Sequence, residues 1–158
     1  MSVDVLREVR EAEERIRSHV RETPAEPSPF LSELGRCRVF LKLENLQITG
    51  SFKLRGAVNK FLSLTQRERE SILVTASSGN HGSAFAYVLR ELDAKGIVYL
   101  PENASPVKVE ALRLLGAEVR FHGDDCVESE LFARRTAAAE GQVFVSPYND
   151  PKIVGGKG

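Results

Sequence analysis

Two short stretches hold the residues able to do chemistry. In ITGSFKLRGA, Ile48 to Ala57, one lysine stands between a small polar turn and a run of helical type. Ser51 is placed to cap a helix beginning around Phe52, so Lys53 falls in its first turn, beside the positive end of the helix dipole. A cation is disfavoured there, and burial disfavours it further, since complete desolvation lowers a lysine pKa by ~3–5 units. A neutral lysine amine attacks an aldehyde and forms a Schiff base. The second stretch, TASSGNHGSA from Thr75 to Ala84, is a run of small residues leaving a strand and opening a helix. Main-chain N–H groups in such a turn close around an anion, a carboxylate or a phosphate, and Asn80 adds a directional amide. Each stretch also has an ordinary reading. Lys53 is then an exposed helix lysine, and the turn uses Ser, Gly and Asn for caps and positive φ, with His81 as a helix-start residue.

The elements that must position these residues alternate along the chain. RVFLKL (38–43) reads as a strand, Lys53 to Leu64 as a helix, ILVTA (72–76) as a strand, and His81 to Leu92 as a helix. GIVYL (96–100) is a strand, and a helix follows from Pro106, with Ser105 as its cap and Gly116 as its C′ glycine. AEVRFH (117–122), a helix from Val127 to Ala139 and QVFVS (142–146) complete the series. Repeated β-α units with short apolar strands predict a parallel sheet covered on both faces. In such sheets ligands gather at the carboxyl ends of strands. Ahead of the units, Val3 to Val20 forms an amphipathic helix with Glu11/Arg15 and Glu13/Arg17 as i,i+4 pairs. Pro24, Pro27 and Pro29 then make a loop.

Composition narrows the function classes. The 158 residues are 42% hydrophobic, with 22 basic and 22 acidic side chains, so no net field draws the chain to nucleic acid or to an anionic membrane. The two cysteines, Cys37 and Cys126, form no CxxC pair, and a reducing cytoplasmic setting is expected. No apolar leader or run of about 20 apolar residues is present, which predicts a soluble protein. His19, His122 and Asp124/Asp125 lack metal-ligand spacing, and HGDD reads as a solvated turn; no metal is expected. Asn103-Ala104-Ser105 fits a glycosylation acceptor but reads better as a helix cap.

In this order, roughly 25 residues apart, the lysine and the Ser-Ser-Gly-Asn-His turn resemble the fold-type II family of pyridoxal-phosphate enzymes, in particular its serine/threonine dehydratase and serine racemase branch. RETPAEPSPFLSE, VFLKLENLQITGSFKLRGA, SSGNHG, LPENASPVKVEALRLLGAEV and SPYNDPKIVGGKG all look like the N-terminal part of that family. The resemblance implies an α/β fold: an open parallel sheet flanked by helices, the family's small domain, with an N-terminal helical extension. Residues 1–37 would be a helix and Pro-rich loop packing on a missing large domain, 38–147 the β-α domain, and 148–158 the start of the large-domain segment, ending inside a glycine-rich turn.

By match to S-F-K-x-R-G-A, Lys53 would be the catalytic Schiff-base lysine for pyridoxal 5'-phosphate and Phe52 would lie against the pyridine ring. By match to S-S-G-N-H-G, Asn80 would hydrogen-bond the cofactor's 3′-oxygen, while Ser77, Ser78, Gly79, Asn80 and His81 would receive the substrate carboxylate. The implied activity is a lyase: an ammonia-lyase (dehydratase) turning L-threonine or L-serine into a 2-oxo acid and ammonia. Ser78 keeps open a racemase-type isomerase, in which a serine here is a second catalytic acid/base; its ordinary role in an anion-binding turn stands beside that. The family continues beyond this point with a glycine-rich phosphate loop and a partner for the pyridine nitrogen. GGKG matches an earlier turn usually written G-Q-G, with Lys157 in place of glutamine, and is not a P-loop. The expected partners are a small amino-acid substrate and the missing C-terminal portion or a partner chain, with a homodimer as the assembly. A non-catalytic truncated module of the same fold is the third reading; an isolated nucleotide-binding domain is disfavoured by the absence of GxGxxG.

Overall fold

A computed structural model describes residues 4–158; the first residue of the expected N-terminal helix, Val3, lies outside them. Helix α1 (Val5–Ile16) opens on Asp4, whose carboxylate accepts the Arg7 N–H at 3.2 Å, and gives way to a 3₁₀ turn at Arg17–His19. Its Glu13/Arg17 pair forms at 2.6 Å, whereas Glu11 takes Arg7 at 2.7 Å and stands 3.9 Å from Arg15.

The Pro-rich segment is not all loop. Strand β1 (Ala25–Pro27) pairs antiparallel with β2 (Phe40–Lys42), so RVFLKL lies outside the parallel sheet. Both strands are exposed along their length, and an isolated two-stranded ribbon tolerates Pro27, which a central parallel strand would not. Between them α2 (Pro29–Gly35) is capped by Ser28, with proline at the first helical position, where its missing N–H costs nothing.

Helix α3 (Lys53–Leu62) and a short α4 (Gln66–Glu70) lead to β3 (Leu73–Ala76). The series α5 (Asn80–Glu91), β4 (Gly96–Leu100), α6 (Pro106–Leu114), β5 (Glu118–Phe121), α7 (Cys126–Ala139) and β6 (Val143–Phe144) follows the expected alternation. All pairings in the sheet are parallel, in the order β5-β4-β3-β6. Alternate residues face opposite layers: Leu73, Val98 and Leu100 pack with α3, α5 and α6, while Val74, Ala76, Ile97 and Tyr99 pack against Ala133 and Ala137 of α7. This period of two is why β3 and β4 are apolar nearly throughout. The sheet therefore grows outward from β3 through β5 and returns on its other side as β6. The crevice between the loops after β3 and β6 is the switch point where such sheets bind ligands.

Ser105 is the N-cap of α6 as expected, without a side-chain bond: its carbonyl accepts the N–H groups of Lys108 and Val109. The expectation of a turn at the final VGGKG is corrected: Val154 to Lys157 are helical, within α8 (Pro151–Lys157), and Gly158 is its C-cap. The glycines serve close approach: a Cβ at Gly156 would stand 2.7 Å from the Arg55 carbonyl and 2.8 Å from the Cα of Gly56 in α3. Helix α8 is thus wedged between α1 and α3, where Ala12, Ile16 and Ile153 are buried. Gly116 is the C′ residue of α6 as expected, at φ +84°, with Gly116 N–H bonded to Arg113 and Ala117 N–H to Leu112. Among the described residues no helix is long and apolar enough to cross a membrane.

Candidate active site

Lys53 is the first residue of α3. The buried Ser51 hydroxyl accepts its main-chain N–H at 3.1 Å, one residue earlier than a cap on Phe52 would place the bond. The side chain is half-buried, and its ammonium donates to the Pro147 carbonyl, in the loop after β6, at 3.4 Å. Two exposed rings flank it, Phe52 at 5.5 Å and Tyr148 at 5.4 Å from Nζ. No carboxylate lies within 4.0 Å of this amine among the described residues. That contrasts with its neighbours on the same helix, Arg55 paired to Glu44 and Lys60 to Asp150, each at 2.7 Å. The Arg55 guanidinium, together with the Thr23 hydroxyl, holds the Glu44 carboxyl below its ordinary range.

The turn after β3 begins at Ser77, whose hydroxyl accepts the Gly79 N–H at 3.3 Å. Gly79 is the N-cap of α5 and offers no side-chain acceptor. The N–H groups of Ser78, Asn80, His81 and Gly82 have no acceptor among the described residues. Neither the half-buried Ser78 hydroxyl nor the exposed Asn80 amide has a partner there. The turn is drawn so tightly over Gly82 that a Cβ there would stand 2.0 Å from the Ser77 carbonyl oxygen, so only glycine fits.

His81 goes the other way. Its ring is 3% exposed, with Nε2 3.1 Å from the Thr75 hydroxyl, which itself donates to the Val145 carbonyl at 2.8 Å. Because that hydroxyl has spent its hydrogen on Val145, Nε2 carries the proton, and Nδ1 is left buried without a partner. Burial first, then the Lys53 charge, lower its pKa to about 4, so the ring is neutral and braces the turn against β6. It reaches a ligand in the crevice only through its main-chain N–H.

The loop after β6 joins the two stretches. The Ser146 hydroxyl accepts the N–H groups of Tyr148 and Asn149 and the Arg134 guanidinium, at 3.2–3.3 Å. This fixes the turn that presents Pro147 to Lys53. Thr75, Pro147 and Tyr148 were not among the expected site residues; the proline–aromatic pair directly after β6, in SPYNDP, is the signal that could have marked them. No hydrogen bond links Lys53 to Ser77–Asn80 among the described residues. A cavity of about 670 Å³ lies elsewhere, between α1, β2 and α8. Among its charges Glu13 pairs with Arg17 and Glu44 with Arg55.

An amine free of carboxylates, between two aromatic rings and near a turn of unpaired N–H groups, is the donor set for a carbonyl compound bearing anionic groups. A profile of the pyridoxal-phosphate dependent enzyme family matches residues 16–158. The chain belongs to that family. It is 38% identical over 148 residues to the catabolic L-threonine dehydratase TdcB of Escherichia coli K12, covering 94% of this chain and 45% of the relative. Among solved structures it is similar to serine racemase from Dictyostelium discoideum (TM-score 0.88, 32% identity, 98% of this chain and 50% of that one). The processed form of threonine deaminase isoform 2 from Solanum lycopersicum is also similar (TM-score 0.87, 27% identity, 99% and 43%). This chain thus spans less than half the length of the dehydratase it matches. The family's cofactor fits the residues present: Lys53 would offer its aldehyde an amine with no carboxylate within 4.0 Å among the described residues, and Phe52 and Tyr148 would offer it aromatic faces.

Proposed function

We propose that this chain is part of a pyridoxal-phosphate-dependent ammonia-lyase that converts L-threonine or L-serine to a 2-oxo acid and ammonia. The observation that carries the reading is Lys53 at the start of α3, its ammonium unpaired by carboxylate at the sheet's switch point. Lys53 would hold the cofactor covalently, Phe52 and Tyr148 would offer their rings to its ring, and the Asn80 amide would bond its ring oxygen. Bound pyridoxal phosphate supplies the electron sink that makes the α-proton of an amino acid acidic. The N–H groups of Ser78, Asn80, His81 and Gly82 hold the α-carboxylate, which turns the α-proton toward Lys53 Nζ. Lys53, once exchange with the substrate amine frees it, would take that proton; the β-hydroxyl would leave with a proton as water, and hydrolysis of the resulting enamine would give the 2-oxo acid and ammonia. The remaining walls of the site come from further chain or a partner copy, consistent with the 45% coverage of the dehydratase. A cytoplasmic homodimer is the proposed setting.

The unpartnered Ser78 hydroxyl favours a second reading, a serine racemase-type isomerase with Ser78 as acid/base opposite Lys53. One experiment addresses both. The protein is reduced with borohydride in the presence of pyridoxal phosphate, its peptides are mapped by mass, and 2-oxo acid and D-serine are followed from L-serine. Lys53→Ala is expected to lose the reduced adduct and all turnover; an adduct persisting at the unsubstituted level overturns the assignment. D-serine without 2-oxo acid would put the isomerase first.

A further inference from the structure

Lys53 is not the only amine at its site. Lys157, at the end of α8, donates to the same Pro147 carbonyl at 3.3 Å, against 3.4 Å for Lys53. The two ammonium groups therefore converge on one carbonyl oxygen. Both stand over one ring, Phe52, at 5.5 Å and 5.9 Å from its centre. Packing places Lys157 there: its stem crosses Gly56 in α3, where a Cβ would come within 3.2 Å of Lys157 Cε.

Among the described residues no acid forms a salt bridge with either amine. On α1, Glu8 is bound to Lys152 and Glu13 to Arg17, while Glu11 is shared between Arg7 and Lys152. On α3 and the segment before it, Arg55 and Glu44 hold each other, and Lys60 holds Asp150. The Lys42 ammonium donates to the Thr23 carbonyl and the Arg21 guanidinium to that of Leu46. Glu22 is exposed on the wall of the cavity beyond α8. From α5 the facing group is the His81 ring, which is uncharged. Two ammonium groups on one carbonyl repel, and the repulsion is relieved when one gives up its proton.

We infer that Lys157 is a positioning residue that shares a proton with Lys53. The proton passes from the Lys53 ammonium to the Lys157 amine, leaving a lone pair on Lys53 that condenses with an aldehyde carbonyl as water is lost. The inference rests on the reading of Lys53 as the cofactor-bearing lysine. Burial, then the Lys53 charge, lower the Lys157 ammonium to about 8, so Lys157 becomes a free amine as pH rises through 8 and can then act as the base that accepts the proton.

Competitive acetylation of the cofactor-free protein across pH 6–11, read by peptide mass spectrometry, tests this on each lysine separately. Lys157 is expected to titrate near pH 8, and Lys53→Gln to raise its midpoint by at least about one unit. Reciprocally, Lys157→Gln is expected to slow acetylation of Lys53 at pH 7.5 about tenfold. Independent profiles, unmoved by either substitution, overturn the inference. Should a substituted protein not fold, as judged by circular dichroism, the unsubstituted profile decides: a Lys157 midpoint at or above the ordinary lysine value overturns it. Borohydride reduction with pyridoxal phosphate separates the two readings. An adduct on Lys53 without reciprocal shifts overturns the sharing alone. Reciprocal shifts without an adduct overturn the cofactor role alone, and an adduct on Lys157 in place of Lys53 overturns both.

Discussion

The turns after β3 and β5 occupy equivalent places, each joining the carboxyl end of a parallel strand to a helix. At α7 the protein supplies its own anions. The Asp125 carboxylate accepts the N–H groups of Val127 and Glu128, both at 2.8 Å, and Glu128 reaches back to the Asp124 N–H at 2.8 Å. The Ser129 hydroxyl adds bonds to the carbonyls of His122 and Asp125. At α5 the cap is glycine, and the corresponding N–H groups have no partner among the described residues. Both helix starts carry the same backbone dipole, so the dipole does not distinguish them. A helix start becomes a site where the chain withholds its own carboxylate.

Three experiments break or sharpen this contrast. The largest effect is expected from acid, because the β3 turn is braced by a histidine that must stay neutral. The His81 pKa is about 4 in the fold against 6.5 for the free side chain. The unfolded chain therefore binds more protons between these values, and stability falls as pH drops from 6.5 to 4. The loss is about 3 kcal/mol, complete at the lower end and absent above the upper one. Denaturant titrations at pH 7 and pH 4.5 should show it, and His81→Gln should flatten the slope in that window. Next, Gly79→Asp gives α5 the cap that α7 already has, at a position where a Cβ meets nothing within 4 Å. Calorimetry with L-threonine is expected to show affinity falling about 100-fold, roughly 2.7 kcal/mol, with stability changed by a few tenths; unchanged affinity would show that the carboxylate binds elsewhere. Smallest is Asp125→Ala, which removes the closed cap and should cost ~1 kcal/mol of stability in thermal unfolding without altering ligand affinity.

The two turns also differ in how legible they are. Ser-Ser-Gly-Asn-His announces a helix start with small residues, and HGDD reads as a solvated turn, whose use of Asp125 to cap α7 only the structure shows. Strands β3 and β4, buried on both faces, carry a nearly unbroken apolar signal. RVFLKL carries a similar local signal, yet pairs outside the sheet, because strand pairing depends on the partner, here the Pro-rich segment some 15 residues away. Gly155 and Gly156 read as a turn for a related reason: what they avoid is Glu8 and α3, both distant in sequence.

The order of residues by itself determined the β-α alternation, the helix starts, and the pairing of one lysine with one N–H-rich turn, because periodicity and capping are local. Tertiary structure decided what each side chain does there. It turned His81 inward to brace the turn on Thr75, brought the Pro147 carbonyl to Lys53 from 94 residues away, and laid Lys157 beside it through the gap at Gly56. Those contacts rest on which strand returns beside β3 and on how closely α8 approaches α3. No short window of sequence contains Lys53 together with Pro147 or Lys157.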